Sequence, residues 1–204
     1  THIGHSEKVF IMKRLLLILI LTFSFQSFVK AEDIRDFQIE EMSIGDSLLD
    51  HFTEEEINKS LINDYPNSDK YKRVQIIKHK RLKTYDAMLI LYLKNDKKKK
   101  IHSLSGMIDY VDNIKACLNK KDIILDDISN IFKDVNIEDQ GKRIHNVDKS
   151  KKSFIYDVQI KFTNKDRVTV ACFDWSKKIG FKDHLRISIS NRDFLNWVNN
   201  EAYK

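Results

Sequence analysis

The hydrophobic period of the chain changes near residue 140, and this change constrains the fold more than any other feature. Residues 112–134 place apolar side chains at spacings of three and four, the pattern of one face of a helix. Residues 154–189 instead contain three stretches in which apolar and polar residues alternate. Such alternation is typical of antiparallel strands with one buried side. The pattern therefore predicts a long helix followed by three strands.

The block before the long helix has a similar plan. Thr53-Glu54-Glu55-Glu56 is a capping box and predicts a short helix, because the Thr hydroxyl and the last Glu satisfy free amides at a helix start. Strand-like stretches follow near residues 71–79, 84–94 and 100–110. The middle stretch is apolar on both alternating sides, which suits a strand covered on two sides. A last helix is expected to begin near Ser190-Asn191, where Ser190 and Asp193 give a weak cap signal.

These elements predict an α+β fold with two similar halves, residues 46–110 and 112–204. Each half is expected to contain a helix and three strands, and the helices are expected to pack on one face of an antiparallel sheet. Residues 32–45 show no period and are expected to form an extended arm. The polar residues 140–152 are expected to form a loop.

The N-terminal residues have the features of an export signal. A positive stretch at 12–14 precedes an apolar run, and Val29 and Ala31 form a small-residue cleavage site. Polar residues interrupt the run before the roughly 20 apolar residues that a membrane span needs. We predict a signal peptide over residues 12–31 and a segment upstream of the true start over residues 1–11.

Export would place the mature chain, residues 32–204, in the periplasm or outside the cell. It would carry no transmembrane anchor after cleavage, and its length suits a single domain. Part of the formal net charge of +6 lies in the leader. The remaining cations are mixed with many acids, so no nucleic-acid partner is expected.

Cys117 and Cys172 are the only cysteines of the chain. An oxidising compartment favours a bond between them. Cys117 lies on the apolar stripe of the predicted long helix and Cys172 on the inward side of a predicted strand, so a disulfide would tie the helix to the sheet. Two buried free thiols are the alternative. The histidines lack the spacing of metal ligands, and neither a metal nor a cofactor is expected.

The letters Gly45-Asp46-Ser47-Leu48 match the opening of the first sequence block of a family of esterases and lipases. Those hydrolases also have a buried strand before the Ser, a Gly-x-Asn-Asp block and a C-terminal Asp-x-x-His. None of these three features is present in this sequence. Asp183 and His184, for example, are adjacent, whereas the family has two residues between its Asp and its His. A nucleophile needs a base within hydrogen-bond reach. We therefore interpret this stretch as a turn that Asp46 or Ser47 caps, and predict no catalytic residue.

Three longer segments carry a resemblance to known sequences: "DIRDFQIEEMSIGDSLLDHFTEEEI" from Asp33, and "IKACLNKKDII" and "VACFDWSKKI" around the cysteines. In these segments the chain resembles a group of small, uncharacterised exported proteins of marine alphaproteobacteria. No activity is established for that group, so the resemblance implies none. The helix entry at Gly45 is also weakly similar to that of outer-membrane assembly lipoproteins of the BamE type, although Asp46 stands where those proteins have Met.

Two functions fit these observations. The first is a non-enzymatic exported domain that binds an envelope protein or an anionic ligand. Its candidate surface combines outward cations of three strands with aromatic residues of an adjoining loop: Lys161, Arg167, Arg186, Trp175 and Phe181. The second is a periplasmic hydrolase that uses Asp174, Asp183 and His184. A solvated sheet face with Trp175 folded back on the core remains the structural alternative to the binding surface.

Overall fold

A computed structural model describes residues 33–62, 65, 68–132 and 135–204 of the chain. The signal peptide expected at 12–31 and the segment 1–11 lie outside the described residues. The described helices are α1 (Glu54–Lys59), α2 (Ile114–Ile131) and α3 (Arg192–Asn200). The described strands are β1 (Leu61–Ile62), β2 (Tyr71–Ile77), β3 (Ala87–Leu93), β4 (Ile101–Asp109), β5 (Asn136–Ile144), β6 (Phe154–Lys161), β7 (Arg167–Asp174) and β8 (His184–Ser190).

The described strands form one antiparallel sheet of eight, in the order β1-β2-β3-β4-β8-β7-β6-β5. A mixed α and β fold is therefore confirmed, but the prediction of two three-stranded halves is wrong. Each half contributes a meander of four strands, and the pairing of β4 with β8 joins the two meanders. The missed strands, β1 and β5, are the two edges of the sheet. Each has a single neighbour among the described strands, so neither needs the apolar alternation that marks an inner strand.

Strand β5 occupies Asn136–Ile144 and so overlaps the loop expected at 140–152. Most of its side chains are exposed, and a bulge between Asp139 and Lys142 breaks its alternation. Gly141 has a φ of 64° at this bulge, a left-handed conformation that glycine adopts without steric cost. A polar, bulged edge strand has the composition of a loop, which explains the wrong prediction.

The two faces of the sheet are covered by different helices. Successive side chains of a strand point to opposite faces. On one side, here named the α2 face, Val170 and Ile187 belong to the main apolar cluster with Cys117 of α2. On the other side, the α3 face, Phe194 and Trp197 pack with residues of β2 and β3. The prediction that all helices pack on one face is therefore wrong.

The covering of both faces follows from the composition of β3. Leu89, Leu91 and Leu93 point to the α3 face, and Met88 and Ile90 point to the α2 face. Exposure of either row would leave large apolar area in water, at roughly 25 cal/mol per Å². The sequence prediction that this strand is covered on two sides is confirmed.

The residues expected to form an extended arm pack against the domain instead. Ile34, Ile39 and Met42 are all at most 1% exposed and belong to the main apolar cluster. The ring of Phe37 lies 6.2 Å from that of Phe132, at the end of α2. The spacings between these apolar residues follow neither a helical nor a strand period, so a search for periodicity cannot detect their burial.

A disulfide joins Cys117 of α2 to Cys172 of β7, with the two Cα atoms 6.0 Å apart. Both residues are fully buried, and α2 packs on β7 and β8 around them. The predicted bond and its predicted role of tying the helix to the sheet are confirmed. It links positions 55 residues apart, so it restricts a long loop of the unfolded chain.

Loss of this bond should destabilise the domain. We expect Cys172→Ser to lower the free energy of unfolding by about 2 to 5 kcal/mol, measured by urea denaturation. The double variant Cys117→Ser/Cys172→Ser is the control and should lose a similar amount, because either change removes the same cross-link. An unchanged denaturation midpoint in both variants would contradict this stabilising role.

Candidate functional site

The three candidate cations all lie on the α3 face, but Nε of Arg186 is buried there, whereas the sequence predicted an outward, solvated position. Lys161 of β6 is directly opposite Arg167 of β7, and Arg167 is opposite Ser190 of β8. Arg186 lies four positions from Ser190 along β8, about 13 Å at 3.3 Å per residue. The structure therefore brings Lys161 and Arg167 together but places Arg186 in a different part of the face.

Lys161 and Arg167 both have partners within the chain. The Lys161 ammonium donates to Glu138 of β5 over 2.6 Å and lowers the pKa of that carboxyl group. Arg167 donates to the side-chain oxygen of Gln159 over 3.2 Å, and burial lowers the pKa of its guanidinium. These contacts engage both side chains along β5 and β6.

Arg186 lies against a stack of rings at the other end of the strands. Its guanidinium carbon is 4.6 Å from the centroid of the Phe173 ring, within cation–π range. Phe173 in turn stacks on His184, with ring centroids 4.6 Å apart and planes inclined by 13°. Phe173 lies two residues before Trp175, so both side chains point to the α3 face.

Trp175 and Phe181 complete this group at the rim of the sheet. The Trp175 ring lies 5.8 Å from Phe173 and 5.0 Å from Phe181. Phe181 is 57% exposed, whereas Trp175 is half-buried. We name this group the Arg186 cluster and define it by five residues: Phe173, Trp175, Phe181, His184 and Arg186. The sequence predicted three of these as binding residues: Trp175, Phe181 and Arg186. It did not identify Phe173.

The positive charge of the cluster is not balanced by an acid among the described residues. Described ion pairs leave Arg186 without a carboxylate partner, and its Nε atom is buried without a described hydrogen-bond acceptor. Burial lowers the pKa of Arg186 to about 10, and the nearby charge of Arg73 adds to this effect. A buried cation without a counter-charge is costly. The described residues therefore leave the charge of Arg186 without a counter-charge.

His184 holds the guanidinium from one side. Its Nδ1 lies 2.8 Å from the carbonyl oxygen of Lys182, and its Nε2 lies 3.2 Å from Nη2 of Arg186. The hydrogen-bond pattern assigns the proton to Nδ1, which donates to the carbonyl, and leaves Nε2 to accept from Arg186. Burial, together with the charge of Arg186, lowers the pKa of His184 to about 4. The ring is therefore neutral at pH 7.

The residues of the hydrolase hypothesis do not form an acid–base pair in the described structure. The Asp183 carboxylate accepts the backbone N–H of Trp175 over 2.7 Å, and both nitrogens of His184 are already engaged. Asp174 lies at the end of β7, where burial and then Asp183 raise the pKa of its carboxyl group. No group of three His, Cys, Asp or Glu side chains among the described residues is placed to hold a metal ion.

Ser47 is confirmed as a capping residue. It precedes the short 3-10 turn Leu48–Asp50, and its hydroxyl oxygen accepts the backbone N–H of Leu49 over 3.3 Å. The hydroxyl donates in turn to the carbonyl oxygen of Lys98 over 2.7 Å. These bonds dock the turn on the hairpin between β3 and β4, and they give the Gly-Asp-Ser-Leu letters a structural explanation.

No protein-family model, curated protein or solved structure matches this chain. In the part of the chain that the structure describes, no helix is long and apolar enough to cross a membrane. What the α3 face can bind is therefore inferred from the contacts of its own residues. A fixed guanidinium beside stacked rings suits the binding of an anion, because it supplies charge, hydrogen-bond donors and an apolar rim.

Protonation of His184 should make stability depend on pH. Its pKa is about 4 in the folded chain and 6.5 ordinarily, so the unfolded state binds the proton first as pH falls. The folded state should lose up to about 3 kcal/mol as pH falls from 6.5 to 4. Urea denaturation at pH 7 and pH 4.5 should show a smaller loss for His184→Gln than for the parent. Identical losses would contradict this assignment.

Proposed function

We propose that this chain is an exported, non-enzymatic domain that binds an anionic group of a partner in the bacterial envelope. The observation that carries the proposal is Arg186, a buried guanidinium without an acid partner among the described residues. The partner would contact the α3 face at the Arg186 cluster. The group that the partner presents to this cluster would be a carboxylate or a phosphate.

The arrangement of Arg186 favours an anion over a neutral ligand. A guanidinium binds carboxylate and phosphate through parallel hydrogen bonds and so selects planar oxygen pairs. Phe173 and His184 hold it in place before any ligand arrives. A group that is already fixed loses little conformational entropy on binding.

The aromatic rim gives the same surface an apolar anchor. Trp175 and Phe181 stand beside the guanidinium through their contacts with Phe173, and Phe181 is largely exposed. Tryptophan and arginine are enriched among the residues that dominate binding energies.

At Lys161 and Arg167, the alternative of a solvated sheet face fits the structure better than a binding surface does. Lys161 and Arg167 are engaged by Glu138 and Gln159, so their charges serve contacts between neighbouring strands. We therefore narrow the proposed site to the Arg186 cluster. The hydrolase hypothesis gains no support from Asp174, Asp183 and His184, because His184 makes no hydrogen bond to either carboxylate.

Export is supported by the disulfide between Cys117 and Cys172, since such bonds form and persist in oxidising compartments. We expect the exported product to begin at Glu32, because the positive stretch, the apolar run and the Val29–Ala31 site agree. N-terminal sequencing of the protein from a periplasmic fraction is the measurement. A product that begins at Met12 or earlier would contradict export by this signal.

Removal of the Arg186 charge should weaken anion binding without unfolding the domain. We expect Arg186→Gln to lower affinity roughly 10- to 100-fold, the loss of one charge-assisted hydrogen bond. Its melting temperature should stay equal or rise, because the change removes a buried cation. A purely structural arginine would instead lower the melting temperature. Lys161→Gln, on the same face but already paired, is the matched control and should retain binding.

Two probes distinguish the source of the anion: inorganic phosphate and a short polyglutamate peptide. The chain has two tryptophans, so a nitrogen–proton NMR spectrum contains two indole signals. The probe that binds should cause saturable shifts of the Trp175 signal and leave the signal of Trp197, in helix α3, unchanged. Absence of shifts with both probes, or equal binding by Arg186→Gln, would refute the proposed site.

A further inference from the structure

The outer edge of β5 is open in the described sheet. Strand β5 is the last strand in the sheet order and pairs only with β6 among the described strands. It is nine residues long and exposes two apolar side chains, Ile137 at 43% and Ile144 at 48%. An edge of this length presents a row of backbone donors and acceptors that another strand can use.

The charges of this strand are ordered symmetrically. The sequence Asn-Ile-Glu-Asp-Gln-Gly-Lys-Arg-Ile places two acids before its centre and two bases after it. We propose that β5 pairs antiparallel with β5 of a second copy of this chain, about a two-fold axis between Gln140 and Gly141. Ile137 then lies opposite Ile144 of the second copy. Acids meet bases at the positions between: Asp139 meets Lys142, and Glu138 meets Arg143.

The bulge makes this register possible. Residues opposite each other in an antiparallel pair must point to the same face. Ile137 and Ile144 are an odd number of positions apart and would point to opposite faces of a regular strand. The bulge shifts the register, so Ile137 is opposite Ile160 and Ile144 is opposite Phe154, two residues of β6 that share the α2 face. The same shift returns Asp139 and Lys142 to one face.

The charges on the α3 face extend the pattern across both copies. Glu138 already pairs with Lys161, and Arg143 already pairs with the buried Asp157 over 2.5 Å. Pairing of the two β5 strands brings Glu138 of one copy beside Arg143 of the other. The result is a row of alternating charges across four strands, and the two-fold axis repeats the row. Cross-strand pairs of opposite charge stabilise a sheet.

Charges and bulges on an edge strand commonly protect a protein against association. Isolated charges that would lose water, charges that repel an approaching copy and bulges that distort the edge all give such protection. The order in β5 instead attracts an antiparallel copy in one register, which is the self-complementarity that a two-fold interface requires. The opposite edge, β1, has two residues and offers no comparable surface. The interface is small, so we expect a dissociation constant on the order of micromolar.

Cysteine cross-linking of the purified full chain tests the register. In Ile137→Cys/Ile144→Cys, the new thiols of two copies lie opposite each other, within the Cα separation of roughly 4.4 to 6.8 Å that a disulfide spans. Oxidation should yield a covalent dimer on a non-reducing gel. Ile137→Cys alone is the matched control, because its thiols in two copies lie about 23 Å apart. Absence of the dimer, or equal dimer from the single variant, would overturn the proposal.

A charge exchange tests the pairing without cysteines. Lys142→Asp places like charges opposite Asp139 of the second copy and should raise the dissociation constant about tenfold or more in sedimentation equilibrium. Asp139→Lys/Lys142→Asp restores opposite charges in the same register and should restore the dimer. A parent chain that is monomeric at tens of micromolar, well above the expected constant, or a double variant no better than Lys142→Asp, would contradict the pairing. This pairing does not depend on anion binding by the Arg186 cluster, although His145, the residue after β5, lies 4.5 Å from Trp175 between ring centroids.

Discussion

The pairing of β4 with β8 is the contact on which the rest of the structure depends. It joins two meanders that would otherwise each expose an unpaired edge, and it runs from Ser103 opposite Ser190 to Asp109 opposite His184. Hydroxyl pairs Ser103–Ser190 and Ser105–Ser188, at 2.7 and 2.8 Å, add side-chain hydrogen bonds across it. Because this pairing places β8 inside the sheet, Arg186 is enclosed by neighbouring strands on both sides. Its burial, and so its electrostatic character, follows from the position of β8.

The two helices divide the faces of this sheet unequally. Helix α2 covers one face and is held there by the Cys117–Cys172 disulfide. Helix α3 covers the other face over β2 and β3, and its apolar cluster contains no residue of β6–β8 among the described residues. The Arg186 cluster therefore lies on the part of the α3 face, over β7 and β8, that the apolar cluster of helix α3 does not reach. A buried cation costs stability that the disulfide and the apolar clusters must offset.

The inner strands and the cross-link were predictable because burial leaves a periodic record in the sequence. Residues 154–162 alternate, and the structure places β6 at Phe154–Lys161. The capping box at Thr53 is present, with its hydroxyl accepting the Glu56 amide over 3.2 Å. Strand β5 and the residues from Ile34 to Met42 were not recognised, since an edge strand is polar and the N-terminal segment is buried without a period. Phe173 was missed because its role in the site depends on its distance from Arg186.

The sequence by itself determined the inward apolar rows of β6, β7 and β8, the capping box of α1, and the pairing of the two cysteines once an oxidising environment was assumed. These properties depend on local spacing and residue chemistry. Only the tertiary structure decided that the two halves share one sheet, that α3 covers the face opposite α2, and that Arg186 is separated from Lys161 and Arg167. Those outcomes depend on which strands become neighbours. Strand alternation assigns a side chain to a face, but strand order alone sets its neighbours across that face.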